Sequence, residues 1–406
     1  MRKNQKNRRR QSQRRLMGPP VTAKPVDECE TLHEIFMNCL PAFGGAYLRR
    51  VYTIVHQAIR QNIPLVIAIA GPVTVSDQHR GWLIPLIKRG WVAYLTVTDA
   101  ICYHDGHDSL EKFKERPIRE VDMWGDDAEH LKAGIIRVTN TGFDDELLFK
   151  QDPMVSAVHQ RPEFQHKMTT TERNYLLGKY YAKQEETFGV RPGLLSTCAE
   201  YGVPIFVGAP ADGSIFLNSV KIWALQQLGE KRFLSYAFEY DLHKDVFESC
   251  AYHYWGLFDS APKALAILIL GGGVPKNYAL QPEPTLSQIF LLPNIRGYDY
   301  DAQIVSAPVT DGSLSSAPPA EAVSWGKINP ETYKEATESM QGDYSTYMPF
   351  IAKSLCDMLP AREQLRLYER RDELIGNLFD AIRKRKRKIM KDTLNFPLKL
   401  VARAAA

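Results

Sequence analysis

No apolar run in this chain is long. The longest, Ala264–Leu270, covers seven residues, whereas a helix crossing a bilayer needs about 20, so a spanning segment is excluded. Cysteine is scarce and scattered: Cys29, Cys39, Cys102, Cys198, Cys250 and Cys356 form no C-x-x-C pair. With no secretory-type apolar stretch near the start, this spacing points to reduced thiols and a cytoplasmic protein. Internal repeats are also lacking. Hydrophobic residues make up 44% of the chain and charged residues 24%, which excludes a fully disordered or fibrous chain. The 406 residues allow two or three domains of roughly 100–200 residues, or one large α/β domain with extensions.

The net charge of +4 hides an asymmetry. Residues 1–15 hold eight Arg/Lys and no acid, Arg383–Lys388 is an unbroken run of six cations, and the remainder is net −10. The basic ends read either as anchors for nucleic acid or an anionic surface, or as solvated tails. No aromatics are interleaved among their cations to stack on bases, so nucleic acid is not the expected partner. An acidic body suits a cationic small molecule.

Residues 1–26 read as a basic tail. Apolar residues recur at helical spacing from Leu32 to Leu40, Gly44-Gly45 breaks the pattern, and a longer helix is expected over Ala46–Arg60. Strands are expected at Pro64–Ala70, Trp91–Val97, Pro204–Ala209, Ala264–Leu270 and Tyr300–Ser306. Trp82–Ile87, Thr171–Thr187, Tyr240–Tyr254 and Met348–Met358 read as helices, and a charged helix is expected from about Ala361 to Ile389. The stretch 106–195 is otherwise polar and poorly periodic. Residues 27–360 thus read as one α/β domain with an N-terminal helical extension, and 361–406 as a charged helix with a basic tail. The β-turn-helix-β rhythm predicts a doubly wound, mostly parallel sheet with helices on both faces. Ligands bind such sheets beyond the carboxyl ends of the strands. The loops expected there (Gly71–Asp77, Thr98–Asp108, Pro210–Ser214, Gly271–Val274, Ala307–Lys327) are rich in Gly, Asp, Ser, Thr and His, which predicts one composite site.

Within those loops, Gly271-Gly272-Gly273 lets backbone approach a ligand as dinucleotide phosphates require, or is simply a tight turn. It does not have the G-x-G-x-x-G spacing. Asp212 could hold ribose hydroxyls or cap the next helix. His104-Asp105-Gly106-His107-Asp108 with Asp299 and Asp301 suggests a binuclear metal centre, as a guanidine-hydrolysing amidinohydrolase of the agmatinase type would use. Two His and two Asp within five loop residues do not easily face one ion, so polar contacts to a ligand or a neighbouring subunit are the other reading. In Glu321-Ala-Val-Ser-Trp-Gly-Lys327, a desolvated Lys327 can attack as a neutral amine and form an imine. Trp325 offers a face to an alkylammonium and Glu321 a counter-charge. Without further context Lys327 reads as an ordinary surface lysine rather than a nucleophile.

The stretch ILILGGGVPKN (267–277), followed by EAVSWGK (321–327), resembles deoxyhypusine synthase, particularly its bacterial deoxyhypusine synthase-like branch. PIFVGAPADGS (204–214), SAP (306–308), DGS (311–313) and GDYS (342–345) follow in the family's order, so the resemblance spans about residues 30–358. It implies a Rossmann-like α/β fold and a homotetramer with active sites shared between subunits. It also implies NAD-dependent, redox-neutral transfer of an aminobutyl group from spermidine or putrescine, through a lysine imine, to an acceptor amine. By resemblance Lys327 is the imine-forming lysine. Trp325, Glu321, Asp311, Asn277 and His104 fall on polyamine-binding positions, and Thr98, Asp212, Gly271, Gly272, Ser306, Ala307 and Asp343 on NAD contacts. No metal is implied. Asn277 stands where synthases acting on protein carry a histidine, Gln281 where the family has an asparagine, and Leu314 and the Leu217-Asn218 pair where aspartates are expected. These departures point to a small-amine acceptor, as in homospermidine synthases, rather than a protein lysine. A sensor of polyamine or NAD that has lost catalysis is the non-enzymatic alternative.

Overall fold

Strands β1 (Leu65–Ile69), β2 (Val92–Val97), β3 (Ile205–Val207), β4 (Ala266–Leu270), β5 (Tyr300–Val305) and β6 (Thr337–Gln341) form a six-stranded sheet in the order β6-β5-β4-β1-β2-β3. Every pairing is parallel. This computed structural model describes residues 16–18, 20–71 and 73–394; the basic stretch 1–15 lies outside the described residues. Read from the other edge, the order is 3-2-1-4-5-6, that of doubly wound dinucleotide folds, with its switch point between β1 and β4.

Four of the expected strands are nearly continuous apolar runs because both faces of the sheet are covered; Tyr300–Val305 also buries Asp301 and Gln303. Side chains alternate between two clusters. Leu65, Ile67 and Ile69 join Leu268, Leu270 and Ile304 beneath Val51, Val55 and Ile59 of helix Phe43–Arg60 and Met348, Ile351 and Leu355 of helix Tyr344–Met358. Val66, Ala68, Ile267 and Ile269 face Cys250, Ala251 and Trp255 of helix Leu242–Phe258, with Leu374 and Leu378 of helix Arg371–Leu394. Burying each Leu, Ile or Val contributes about 1.5–3 kcal/mol, so the sheet centre is the rigid part of the molecule.

Several expectations shift. Gly44 and Gly45 do not delay the second helix but lie in its first turn, since it begins at Phe43. The apolar face at Val51–Ile59 carries the helix. The C-terminal helix begins at Arg371 rather than near Ala361, and its Arg383–Lys388 run is largely exposed. The edge strand β6 (TESMQ) is polar and gave no strand pattern. The supposedly irregular middle holds helix Glu146–His159 and a small antiparallel sheet of Arg119–Glu120, Ile135–Val138 and Thr141–Asp144. That sheet packs over a separate cluster of Val75, Ile118, Phe143 and Leu147.

Register decides what meets at the carboxyl edge. Ile69 lies level with Leu270, and Leu270 with Ile304; Val305 in turn pairs with Gln341. Gly71, Gly271, Ser306 and Asp343 therefore leave the sheet side by side. A buried ion pair braces the neighbouring loop: Asp99 sits 2.8 Å from Arg173, both side chains 0% exposed, and Asp99 also accepts from the Ile215 N–H at 3.2 Å. Removing one partner of a fully buried pair leaves an uncompensated charge. Arg173→Met should therefore lower the unfolding free energy by about 3–5 kcal/mol in urea denaturation, and an unchanged midpoint would show that the pair is not a brace.

Candidate active site

The strand-to-helix turn after β4 is the centre of the site. Gly271 takes φ 87°, a conformation that side-chain-bearing residues rarely adopt, and a Cβ there would lie 3.2 Å from the Ala70 carbonyl. Gly272 then caps helix Gly273–Leu280 with no side chain bonded to the first turn, leaving main-chain N–H groups and the positive helix end at the cleft. Opposite, Tyr344 Oη donates to Ala70 O at 2.8 Å. That bond closes the end of β1 and holds Tyr344 within 3.2 Å of where a Gly71 Cβ would sit.

These groups line a cleft of about 900 Å³ with Gly71, Ser306, Gly342, Asp343 and Ser345. Its far wall is the small antiparallel sheet, through Arg119, Glu120 and Val138–Thr141. An adjoining hollow of about 480 Å³ shares Gly71, Val138 and Thr139 with the cleft and brings in Thr98, His104 and Asp212. Asp343 caps helix Tyr344–Met358 by accepting from Ser345 N at 2.9 Å. Asp212 caps nothing, because Asp99 takes the Ile215 N–H, so its exposed carboxylate is left at the hollow. Thr98 likewise makes no capping bond. Ala307, half-buried, follows Ser306 without lining the cleft.

A third cavity, of about 370 Å³, is lined by Lys327, Trp325, Glu321, Asn277, Lys276, Leu280 and Leu314 among others. Lys327 is fixed at its backbone: its N–H donates to Ala322 O and its carbonyl accepts from Tyr298 N, each at 3.0 Å. Its Nζ lies 5.9 Å from the Trp325 ring centroid, and partial burial pulls the amine below the usual lysine range. Trp325 itself is 61% exposed, open to a ligand or a covering surface. Helix Gly273–Leu280 joins the two regions. Gly272 caps it at the cleft, and Lys276, four residues and about 6 Å further on at about 1.5 Å per residue, faces the hollow.

Two expected polyamine contacts fall elsewhere. Asp311 turns its carboxylate into its own loop, accepting from Ser313 N at 2.7 Å and Ser316 Oγ at 2.6 Å, and Leu314 faces the hollow instead. His104 stands with Thr98 and Asp212 rather than with Lys327.

The metal reading is overturned by where its donors point. Asp105 accepts from the N–H groups of Leu194 and Leu195 at 2.7 and 2.8 Å. Asp108 pairs with Arg80 and Arg116, and Asp299 binds Asn329 and Leu265 N. Asp301 is buried inside β5. Among the described residues no three His, Cys, Asp or Glu converge as a metal site would require.

The two histidines form a relay instead. The Gln151 amide donates to Tyr103 O, so its carbonyl accepts from His107 Nδ1, and His107 Nε2 accepts from His104 Nδ1 at 2.8 Å. His104 Nε2 is thereby left with a bare lone pair. Burial pulls His104 down to about 4, so it is neutral at pH 7 and acts as an acceptor.

Sequence reasoning missed Tyr344, Lys276 and the small-sheet wall. The first two stand inside quoted motifs, GDYS and GGGVPKN, but nothing in the local pattern assigns them a role.

Fold and site define the class: a doubly wound α/β protein with a cleft at its switch point and a half-buried lysine in a neighbouring hollow. The chain belongs to the deoxyhypusine synthase family, whose model matches residues 32–355. It is 32% identical over 366 residues to a deoxyhypusine synthase-like protein of Nostoc sp., covering 89% of this chain and 91% of that one. A deoxyhypusine synthase-like protein of Thermosynechococcus vestitus is 32% identical over 364 residues, covering 88% and 86%. The crystal structure of a deoxyhypusine synthase candidate from Entamoeba histolytica shares the fold, with TM-score 0.50 at 12% identity over 84% of this chain and 99% of that one.

The relay has a spectroscopic consequence. Ring 15N shifts should show His104 neutral and protonated at Nδ1 from pH 8 down to about 5, well above its depressed pKa of about 4. Gln151→Leu should mix its tautomers. An imidazolium signal for His104 at pH 6 would contradict the arrangement.

Proposed function

We propose that the protein is an NAD-dependent aminoalkyltransferase, taking an aminobutyl group from spermidine or putrescine and passing it through an imine on Lys327 to a small acceptor amine. The observation that carries this reading is the Lys327 amine itself: partly dry, pulled toward neutrality, and walled by Trp325 and Glu321 in a hollow joined by one helix to the cleft. A neutral amine has the lone pair that imine formation needs.

The cleft suits the nucleotide. Gly271 and Gly272 allow close main-chain approach, the uncapped start of helix Gly273–Leu280 favours a pyrophosphate, and the Asp212 carboxylate is available for hydroxyl donors. Ser306 and Asp343 complete the rim. NAD held there would supply a hydride acceptor for the carbon beside a substrate amine and return the hydride at the end.

The protein's own residues do the rest. Glu321 and the Trp325 face attract the distal ammonium of the substrate, while the apolar side chains of Leu280 and Leu314 keep the stem dry. Lys327 adds to the imine carbon and releases the remaining amine. Among the described residues one carboxylate, Glu321, lines the hollow, since Asp311 is turned away. A substrate with few charges fits this better than a long polyamine docked together with a protein.

The exposed indole of Trp325 supports an assembly in which another subunit covers the hollow, and we infer a homotetramer with its sites at subunit contacts. No helix among the described residues is long and apolar enough to cross a membrane.

Borohydride quenching with labelled spermidine or putrescine and NAD should tag Lys327, and Lys327→Ala should remove the tag. Equal tagging of the variant would falsify the covalent role. Protein denatured after purification or NAD loading should release NAD, identified by mass, and release of no nucleotide after loading would overturn the cofactor assignment.

A further inference from the structure

The hollow contains a second amine. Lys276, in helix Gly273–Leu280, is 3% exposed. Its Nζ donates to Gln303 Oε1 at 2.7 Å and to Ala317 O at 2.6 Å. Gln303 is held in that orientation because its own amide donates to Ser339 Oγ at 2.9 Å. Both acceptors are neutral, and no carboxylate lies within ion-pair distance of the amine among the described pairs. Asp301, two residues before Gln303 on β5, is 1% exposed with its Oδ1 unpartnered.

Burying an amine without a counter-ion disfavours its charged form. Lys276 is pulled down to about 8, chiefly by burial; Asp301 and Glu321 favour its ammonium and Lys327 opposes it. Burial pushes the Asp301 carboxyl up to about 7. The Lys276 amine thus loses its proton far more readily than an exposed lysine does. Asn277, beside Lys276 in the same hollow, has no proton to exchange.

We propose that Lys276 is the proton carrier of the lysine hollow, moving one proton between the two nitrogens that trade places on the imine carbon. This rests on the reading of Lys327 as the imine-forming lysine. Lys327 Nζ donates its lone pair to the protonated imine carbon, forming a C–N bond while the π pair moves to the substrate nitrogen. The carbon then holds an ammonium on the Lys327 side and a neutral amine on the departing side. Neutral Lys276 accepts the proton from Lys327 Nζ and delivers it to the departing nitrogen. That C–N bond breaks as the Lys327 lone pair forms the new C=N bond. Nothing is oxidised or reduced, and one proton has moved.

The test is the rate of Lys327 tagging against pH, in protein saturated with NAD, using labelled spermidine and a borohydride quench. In the parent, tagging needs both amines neutral, so its rate should rise with pH. Lys276→Met should slow tagging by about 10²-fold or more, the usual contribution of a positioned proton carrier. It should leave NAD affinity unchanged and make the rising limb shallower by one proton. Asp301→Asn keeps the amine but removes a carboxylate that favours its charged form, so the inflection should move to lower pH. Tagging of Lys276→Met at the parent rate with the parent slope overturns the proposal alone. If Lys276→Met does not fold, an unmoved inflection in Asp301→Asn overturns it. A parent in which Lys327 is never tagged overturns the Lys327 reading, and this step with it.

Discussion

A fully buried parallel strand must become a helix within two residues at Gly271-Gly272, and the rest of the site depends on that turn. Gly271 adopts a backbone angle that a side chain would strain, and it passes within contact of the Ala70 carbonyl. Because the turn lies at the switch point, crossovers leave β1 and β4 toward opposite faces, and a cleft opens between them. The same turn starts helix Gly273–Leu280, whose first turn serves the cleft and whose next turn lines the amine hollow. The cleft and the hollow are thus set in register by one element.

Burial does most of the electrostatic work. The amines and imidazole that face the cavities are largely dry. Lys327 and Lys276 are both drawn toward neutrality by loss of water rather than by a hydrogen-bonded partner. His104 is kept neutral by the same cause and given one tautomer by Gln151. Asp99 and Arg173, in contrast, remain a buried pair that orders the loop beneath Asp212. Charge is retained in the pair that braces the scaffold and disfavoured at the partly dry amines.

Much of the architecture was legible along the chain. PLVIAIA, the stretch from Trp91 to Val97, PIFVGA and ALAILIL are apolar on both faces, and that pattern arises only when a parallel sheet is covered on both sides. The edge strand Thr337–Gln341 escaped notice because one side of an edge has no neighbour and polar residues are tolerated there. The small sheet at Arg119–Asp144 escaped because its strands are short and half-exposed. The cluster from His104 to Asp108, expected on a loop, lies instead on helix Asp99–Asp105 and the 3-10 turn Gly106–Ser109, so adjacent side chains point in different directions: His104 faces a hollow, Asp105 a helix terminus, and Asp108 two arginines.

The sequence by itself determined the parallel layered fold, the glycine turn and the lysine motif, because each is a local pattern whose physical requirement is met within a few residues. Only the tertiary structure decided which side chains share a cavity. Lys276 meets Gln303 and Ala317, Tyr344 meets Ala70, and Asp311 turns inward, across separations of 27, 41, 274 and 5 residues respectively. Such meetings depend on strand register and on which groups lose water, and neither is encoded by a residue's neighbours in the chain.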